Sequence, residues 1–340
     1  MSLTTIGIDL AKSVFQVHGV DANGQVIVRK KLRRAEVLKF FGGIAPCLVG
    51  MEACATAHHW ARKLGELGHD VRLMAPSYVK AYLRRQKNDA ADAEAICEAV
   101  TRPTMRFVPV KSAERQGVLV LHRTRELLVR QRTMLINALR GHCAEFGLIA
   151  PLGAYRAADL VEQVREAEAI VLPDLARSAL LMLADQLKAL AAQIHALDRQ
   201  LLIWHRQDEA SQRLATIPGV GIITATALAA SVTDPGLFRS GREFAAFLGL
   251  VPRQNSSGGK DRLGRISKIG DGYLRKLLVV GATSVIRRAG DNASATGAWV
   301  RSLMARKPNR VVTVAMANKT ARIAWAVLAR GEVYRAPAMS

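Results

Sequence analysis

Hydrophobic and polar positions change period several times along the first hundred residues, and each change marks an element. Thr5 to Ile8 is an apolar run closed by Asp9, and Val14–Val20 is a second strand-like segment. The turn Asp21-Ala22-Asn23-Gly24 leads into a third, Gln25–Leu32. Asn-Gly between two apolar segments is a strong hairpin signal, because both residues tolerate positive φ. A short helix, a strand at Cys47–Glu52, a helix through Trp60–Leu67 and a strand at Asp70–Ala75, stopped by Pro76, follow. Three hairpin-connected strands and then alternating helices and strands predict a mixed α/β sheet for residues 1–110.

Beyond Pro109 the period lengthens. Glu114 to Phe146 holds no proline and two glycines, with Leu121, Leu128 and Leu135 seven apart. After a break around Pro151-Leu152-Gly153, the residues Leu183, Leu187, Leu190, Ile194, Leu197, Leu201 and Trp204 advance in alternating steps of four and three. Such steps are the a/d seam of a coiled coil. Residues 111–210 are therefore expected to form a long helical coiled-coil segment, closing on itself within one chain or pairing between subunits. From residue 211 a short helix, the turn Pro218-Gly219-Val220-Gly221 and a helix of small residues predict a helix-hairpin-helix, within a mainly α domain reaching residue 340. Val311–Arg330 reads as a packed helix with a basic face.

Acidic residues stand where these elements would converge. Asp9 and Glu52 each end a strand-like run, and Asp89 and Asp92 open a helical stretch, KNDAADAEA. A separation of three puts that pair on one helix face. Carboxylates converging from strand ends and a helix make the oxygen-rich pocket that Mg²⁺ prefers. The order of elements matches the RNase H-like pattern, whose metal-binding acids lie at the ends of the first and fourth strands and on a late helix. A bland reading remains for each acid: Asp89 as a helix N-cap with Asp92 at N3, Glu52 as a surface carboxylate. The adjacent His58-His59 point apart on a helix and are read as structural.

Charge then narrows the substrate. The chain carries 49 Lys+Arg against 28 Asp+Glu, a net +21, and such a field attracts polyanions, nucleic acid foremost. Residues 239–340 hold 19 of the cations and 5 of the acids. A membrane surface would call for a basic amphipathic or spanning segment, and the longest apolar runs, Val220–Val232 and Leu277–Ile286, are too short to span. No signal peptide is visible, and Cys47, Cys54, Cys97 and Cys143 lack zinc-site spacing, so reduced, buried thiols in a cytoplasmic, nucleoid-associated protein are expected.

Within the basic third runs GLVPRQNSSGGKDRLGRISKIGDGYLRKLL, whose Pro252 and glycines predict irregular, exposed chain. Arg253, Lys260, Arg262, Arg265 and Lys268 are candidate phosphate contacts. Gly219 and Gly221 would let the amides at the following helix start face a phosphate. Ser256 and Ser257, directly before Gly-Gly-Lys, could attack a phosphodiester beside these cations; taken alone, the segment is an ordinary flexible loop.

Taken in order, the Asp…Glu…Asp-x-x-Asp front half, the helical middle, the IPGVG turn and the PRQNSSGGK…GRISK tail closely resemble the DEDD insertion-sequence transposases. That group includes the pilin-gene invertases. The resemblance runs from Ile6 to about Leu328. It implies a RuvC-like amino-terminal domain, an RNase H-fold variant, with Asp9, Glu52, Asp89 and Asp92 holding Mg²⁺, as two ions about 4 Å apart. It implies a carboxy-terminal transposase domain whose serine becomes covalently joined to DNA. Ser257, directly before Gly258, is the matching position, with Ser256 as the alternative. It further implies donor and target DNA as substrates, a structured non-coding bridge RNA as guide, and a homo-oligomer, dimer or tetramer, with a site composed from two subunits. Two other classes stay open: a RuvC-like hydrolytic junction nuclease needing no serine, and a non-catalytic nucleic-acid-binding protein.

Overall fold

The computed structural model describes residues 2–82, 88–151, 153, 156–168, 171–260, 262–290 and 294–336. The chain divides into two compact units, Met1–Gln116 and Gly117–Ser340.

The first unit runs β1 (Thr5–Leu10), β2 (Val14–Val20), β3 (Val26–Arg33), α1 (Val37–Gly42), β4 (Leu48–Glu52), α2 (Ala57–Glu66), β5 (Asp70–Met74), α3 (Pro76–Val79), α4 (Asp89–Val100) and β6 (Phe107–Val108). The sheet order is β3-β2-β1-β4-β5-β6. Strands β1 to β3 are antiparallel neighbours, whereas β1–β4 and β4–β5 are parallel. This is the mixed α/β sheet that the alternating pattern predicts. The β2–β3 hairpin closes as its Asn-Gly suggests. Gly24 takes φ +79°, and the Asp21 carboxylate accepts the amides of Asn23 and Gln25 at 2.9 Å each. The edge strand β6 went unread, since two residues carry no periodicity.

One face of the sheet buries Ile6, Ile8, Phe15 and Met51 against Trp60, Ala61 and Leu64 of α2. Phe15 meets Trp60 edge-on, ring centroids 5.1 Å apart. Helix α4 covers the other side, and glycines decide how closely. A Cβ on Gly7 of β1 would lie 2.2 Å from the Ala93 carbonyl oxygen and 2.4 Å from the Cys97 nitrogen. A Cβ on Gly50 of β4 would meet Val100 at 2.8 Å. Backbone therefore rests on backbone where α4 crosses β1, a contact available only to glycine.

The second unit is mostly helical. Helices α5 (Ala113–Ala144), α6 (Ala157–Glu166) and α7 (Asp174–Gln207) share a core in which Leu139 and Cys143 pack with Leu160, Val164 and Leu180. Val118 of α5 packs with Leu201 of α7 farther along, and Arg125 pairs with Asp198. The two long helices thus meet within one chain. Between them lies α6, beyond the break at Pro151-Leu152-Gly153 and before the heptad run that starts at Leu183; Leu152 is outside the described residues.

Helices α8 (Glu209–Ala215), α9 (Ile222–Ser231) and α10 (Gly241–Phe247) lead to the short strands β7 (Pro252–Gln254) and β8 (Leu263–Ile266), and α11 (Gly272–Arg287), α12 (Ala295–Met304) and α13 (Asn309–Arg330) follow. Their core is built from Leu214, Leu228, Phe244, Leu274, Val300 and Met316. The sequence reading found no apolar run long enough to span a bilayer. By length and composition α13, with 22 residues, is one. Its Val312, Met316, Ala317, Ala321, Ala324 and Val327 are nevertheless buried in this core. The cysteines are all free; Cys47, Cys97 and Cys143 are buried as expected, and Cys54 is half-buried.

A polar contact ties α5, α9 and α11 together inside that unit. Buried His122 lies 3.0 Å from the Tyr273 hydroxyl through Nδ1 and 3.1 Å from Thr226 Oγ1 through Nε2. Thr226 already donates its proton to the Ile222 carbonyl at 2.8 Å. With the Thr226 proton on that carbonyl, Nε2 is the donor and Nδ1 the acceptor, a neutral imidazole. Burial, with Arg125 and Arg123 nearby, lowers the His122 pKa to about 4, and burial raises that of Tyr273 to about 12.

Candidate metal centre and serine hairpin

Strand register brings the first two acids side by side. Ile8 of β1 is paired with Met51 of β4 in parallel, and Asp9 and Glu52 are the next residue on each strand. The third element is α4, whose N-cap is Asn88. Its side chain accepts the Ala91 amide at 2.8 Å. Asp89 is then the first helical residue and not the cap, which removes the capping role as its explanation. Asp92 lies one turn on, along the same face.

Because Gly7 lets α4 lie flush on β1, its first turn reaches the end of that strand. Ligand oxygens of Asp9, Asp89 and Asp92 all come within 4.8 Å of one another. Asp9 and Asp92 are half-buried and Asp89 is exposed. Glu52, also half-buried, stands at the adjacent strand end but is not within that distance of all three. Carboxylates this close repel each other unless a cation lies among them. An all-oxygen donor set fits a hard divalent ion and not a thiophilic one. Sequence reasoning missed Gly7 and Asn88, the residues that seat the acids. Both were signalled, by a glycine inside an apolar strand and by Asn before Asp-Ala-Ala.

His58 is half-buried, and its Nδ1 accepts the Lys111 amide at 3.2 Å. Burial, Lys111 and Arg62 lower its pKa to about 4.

The candidate serines are on a different element from the one expected. The segment from Pro252 to Ile266 is not irregular chain but a β-hairpin, with Pro252 opposite Ile266 and Gln254 opposite Leu263. The Asn255 amide donates to the Arg262 carbonyl at 2.9 Å, and the Lys260 amide to that of Ser257 at 3.1 Å. Between them Gly258 and Gly259 take φ +56° and +73°. Positive φ at both central positions of a two-residue loop is what the tight, type I′ hairpin turn requires. The glycines that read as irregular chain are thus the residues that close the hairpin.

Ser256 and Ser257 lie exposed at its tip, on the strand entering the turn. Ser256 Oγ accepts the Arg262 amide at 3.3 Å, a cross-strand contact that gives this side chain a place in the hairpin itself. Lys260, Arg262 and Arg265 are exposed on the returning strand. Arg253 donates to the Ser267 carbonyl at 3.4 and 3.2 Å, holding the base of the hairpin. Lys268 is exposed with φ +56°, the one described non-glycine residue in the left-handed region.

The turn between α8 and α9 has a packing function. Gly219 has φ +84°, and a Cβ there would meet the Gly281 carbonyl of α11 at 2.9 Å and Val285 at 2.7 Å. Gly221 is the N-cap of α9, with open space where its side chain would stand.

Residues 6–146, which hold every acid of the centre, match the DEDD transposase of IS110 elements. Residues 211–297, which hold the serine hairpin, match the family described as Transposase IS116/IS110/IS902. The chain belongs to the IS110/IS116 family of transposases. It is 53% identical to a "Probable family 20 transposase" of Pseudomonas aeruginosa, over 98% of this chain and 99% of that one. It is 40% identical to the "Transposase for insertion sequence element IS1328" of Yersinia enterocolitica, over 98% and 99%. With the "Transposase for insertion sequence element IS1111A" of Coxiella burnetii the figures are 39%, over 97% and 91%.

Proposed function

We propose that this transposase cuts and rejoins DNA through a phosphoserine intermediate. In this reading Ser257 is the nucleophile, and Asp9, Glu52, Asp89 and Asp92 hold divalent metal, two Mg²⁺ ions in full occupancy. The observation that carries the metal half is the convergence of Asp9, Asp89 and Asp92 on one point. Glu52, next to Asp9 across the β1–β4 register, completes the ligand set. When bound, Mg²⁺ neutralises charge building on the phosphate oxygens.

For the serine half, the support is the exposed hairpin tip. Ser257 Oγ attacks phosphorus, a P–O bond to one strand breaks, and a new P–O bond joins the other strand to the protein. The serine proton leaves as the departing strand's oxygen gains one. Attack by a second strand's hydroxyl reverses these steps, so the phosphodiester is rejoined with no external energy source. Lys260, Arg262 and Arg265 hold flanking phosphates, and the α9 amides after Gly221 offer another backbone contact of the helix-hairpin-helix kind. Pairing of the α5–α7 coiled-coil segment between copies supplies the homo-oligomer, and a bridge RNA guiding target choice enters through the family resemblance.

The test is a nicked suicide substrate incubated with Mg²⁺ and analysed under denaturing conditions. A DNA–protein adduct should accumulate, and Ser257→Ala should abolish it while Ser256→Ala keeps part of it. Cut ends bearing free phosphates with no adduct would replace this reading by a hydrolytic nuclease.

A further inference from the structure

We propose that a groove in the second unit, walled by the serine hairpin, α10, α12 and α13, holds an unpaired strand of DNA. It is about 1450 Å³ in volume. Arg242, Arg265, Arg310, Lys319 and Arg322 line it, and among the described residues no acidic one does. Among the described residues none of these five cations is in an ion pair, although this protein pairs cations with acids elsewhere on its surface. Lys319 and Arg322 lie three apart on α13, so like charges share one helix face. The Lys319 pKa is lowered by burial and by Arg322, so a phosphate beside them would relieve that repulsion.

The floor is apolar, formed by half-buried Ile266 and Val314 over the buried Leu250. Trp299 stands in its wall with the Lys319 ammonium 4.4 Å from the ring centroid. Trp325 is fixed there by its indole N–H donating to the Pro235 carbonyl at 3.1 Å. A cationic rim over an apolar, aromatic floor fits a strand whose phosphates lie outward and whose bases turn in. A duplex has no bases free to reach such a floor. Charge complementarity therefore favours a polyanion over a peptide, and the apolar floor favours an unpaired strand over a paired one.

The placement points to which strand. Pro252, Gly264, Arg265 and Ile266 of the groove wall belong to the hairpin that carries Ser256 and Ser257 at its tip. A strand lying in the groove leads along that hairpin, so the groove would hold the DNA flanking the cut. The assignment rests on the reading of this chain as a DNA-cutting transposase.

Photocrosslinking separates the two. The full-length protein is irradiated with a short single-stranded oligodeoxynucleotide containing 5-bromodeoxyuridine, and the crosslinked peptides are mapped by mass spectrometry. Because the readout is contact and not cleavage, Ser257→Ala protein should crosslink as well as the unaltered chain, whatever the nucleophile proves to be. Crosslinks are expected in the peptide containing Trp299. Arg310→Gln with Arg322→Gln should lower their yield about tenfold at moderate salt. Trp299→Phe should keep strand binding, and Trp299→Ala should weaken it about tenfold, both measured at a temperature where each protein is folded. Crosslinks confined to other peptides would overturn the proposal. So would a yield unaffected by the arginine changes, or stronger crosslinking by bromouridine RNA or by duplex of the same sequence.

Discussion

At the scale of single residues, the informative groups are those whose ionisation the fold bears on directly. Asp9, Asp89 and Asp92 crowd their oxygens within 4.8 Å, so the fold carries their mutual repulsion whenever no cation is present. Asp9→Asn should therefore raise the melting temperature in excess chelator while abolishing strand exchange in Mg²⁺. An Asp9→Asn protein with normal recombination would end the metal assignment. His122 makes the opposite case, a group held neutral. Its pKa is about 4 in the fold against about 6.5 when unfolded. The unfolded chain therefore binds the extra proton between those values. Stability is full above pH 6.5 and is lost as pH falls toward 4, by about 3 kcal/mol at most. His122→Gln should flatten that part of the denaturation profile. An unchanged pH slope between 6.5 and 4 would show that His122 is not its source.

Elements explain why the acids meet, and here the legibility of the sequence divides. The strand ends at Asp9 and Glu52 could be read because apolar runs stopped at acids, and α4 because Asp and Ala recur at helical spacing. Their convergence could not, since it depends on the approach of α4 to β1, a tertiary contact set by the missing side chain of Gly7. Gly7→Ala tests this. Its Cβ would fall 2.2 Å from backbone oxygen, so α4 must lift, at a cost of about 3 kcal/mol. Metal-dependent activity should drop far more than that stability loss explains, because the Asp89–Asp92 turn moves off the strand end. Retention of full Mg²⁺-dependent activity by a folded Gly7→Ala protein would show that the seat is not needed. The serine segment was misread for a related reason. Composition marks Ser-Ser-Gly-Gly as loop, while the hairpin depends on Pro252–Gln254 finding Leu263–Ile266 across it, strands of three and four residues with too little pattern to detect. Helix α6 and strand β6 escaped notice through similar shortness, and the long helices α5 and α7 did not.

At the scale of the whole molecule the dominant fact is charge, and it was legible from composition alone. A net +21, with +14 of it beyond residue 238, far exceeds what solubility asks for. The fold turns that total into specific surfaces, and the hairpin is the clearest of them. Lys260, Arg262 and Arg265 are all exposed on the strand that returns from the serines, with Arg262 tied to Ser256 through its backbone amide and its guanidinium left to the solvent side. If they neutralise DNA phosphates, each releases counterions on binding, and the logarithm of affinity falls with the logarithm of salt by about 0.9 per contact on duplex. Replacing all three by glutamine should then lower the slope by about 2 to 3 while leaving the melting temperature unchanged, because exposed surface substitutions move stability by within about 0.5 kcal/mol. The measurement is a titration of duplex DNA at several salt concentrations with the unaltered and triple-substituted chains. An affinity that drops with the slope unaltered would mean that these residues act through the hairpin's shape. A slope and affinity both unaltered would move the phosphate contacts away from the serine hairpin altogether, and with them the argument that Ser257 sits beside bound DNA.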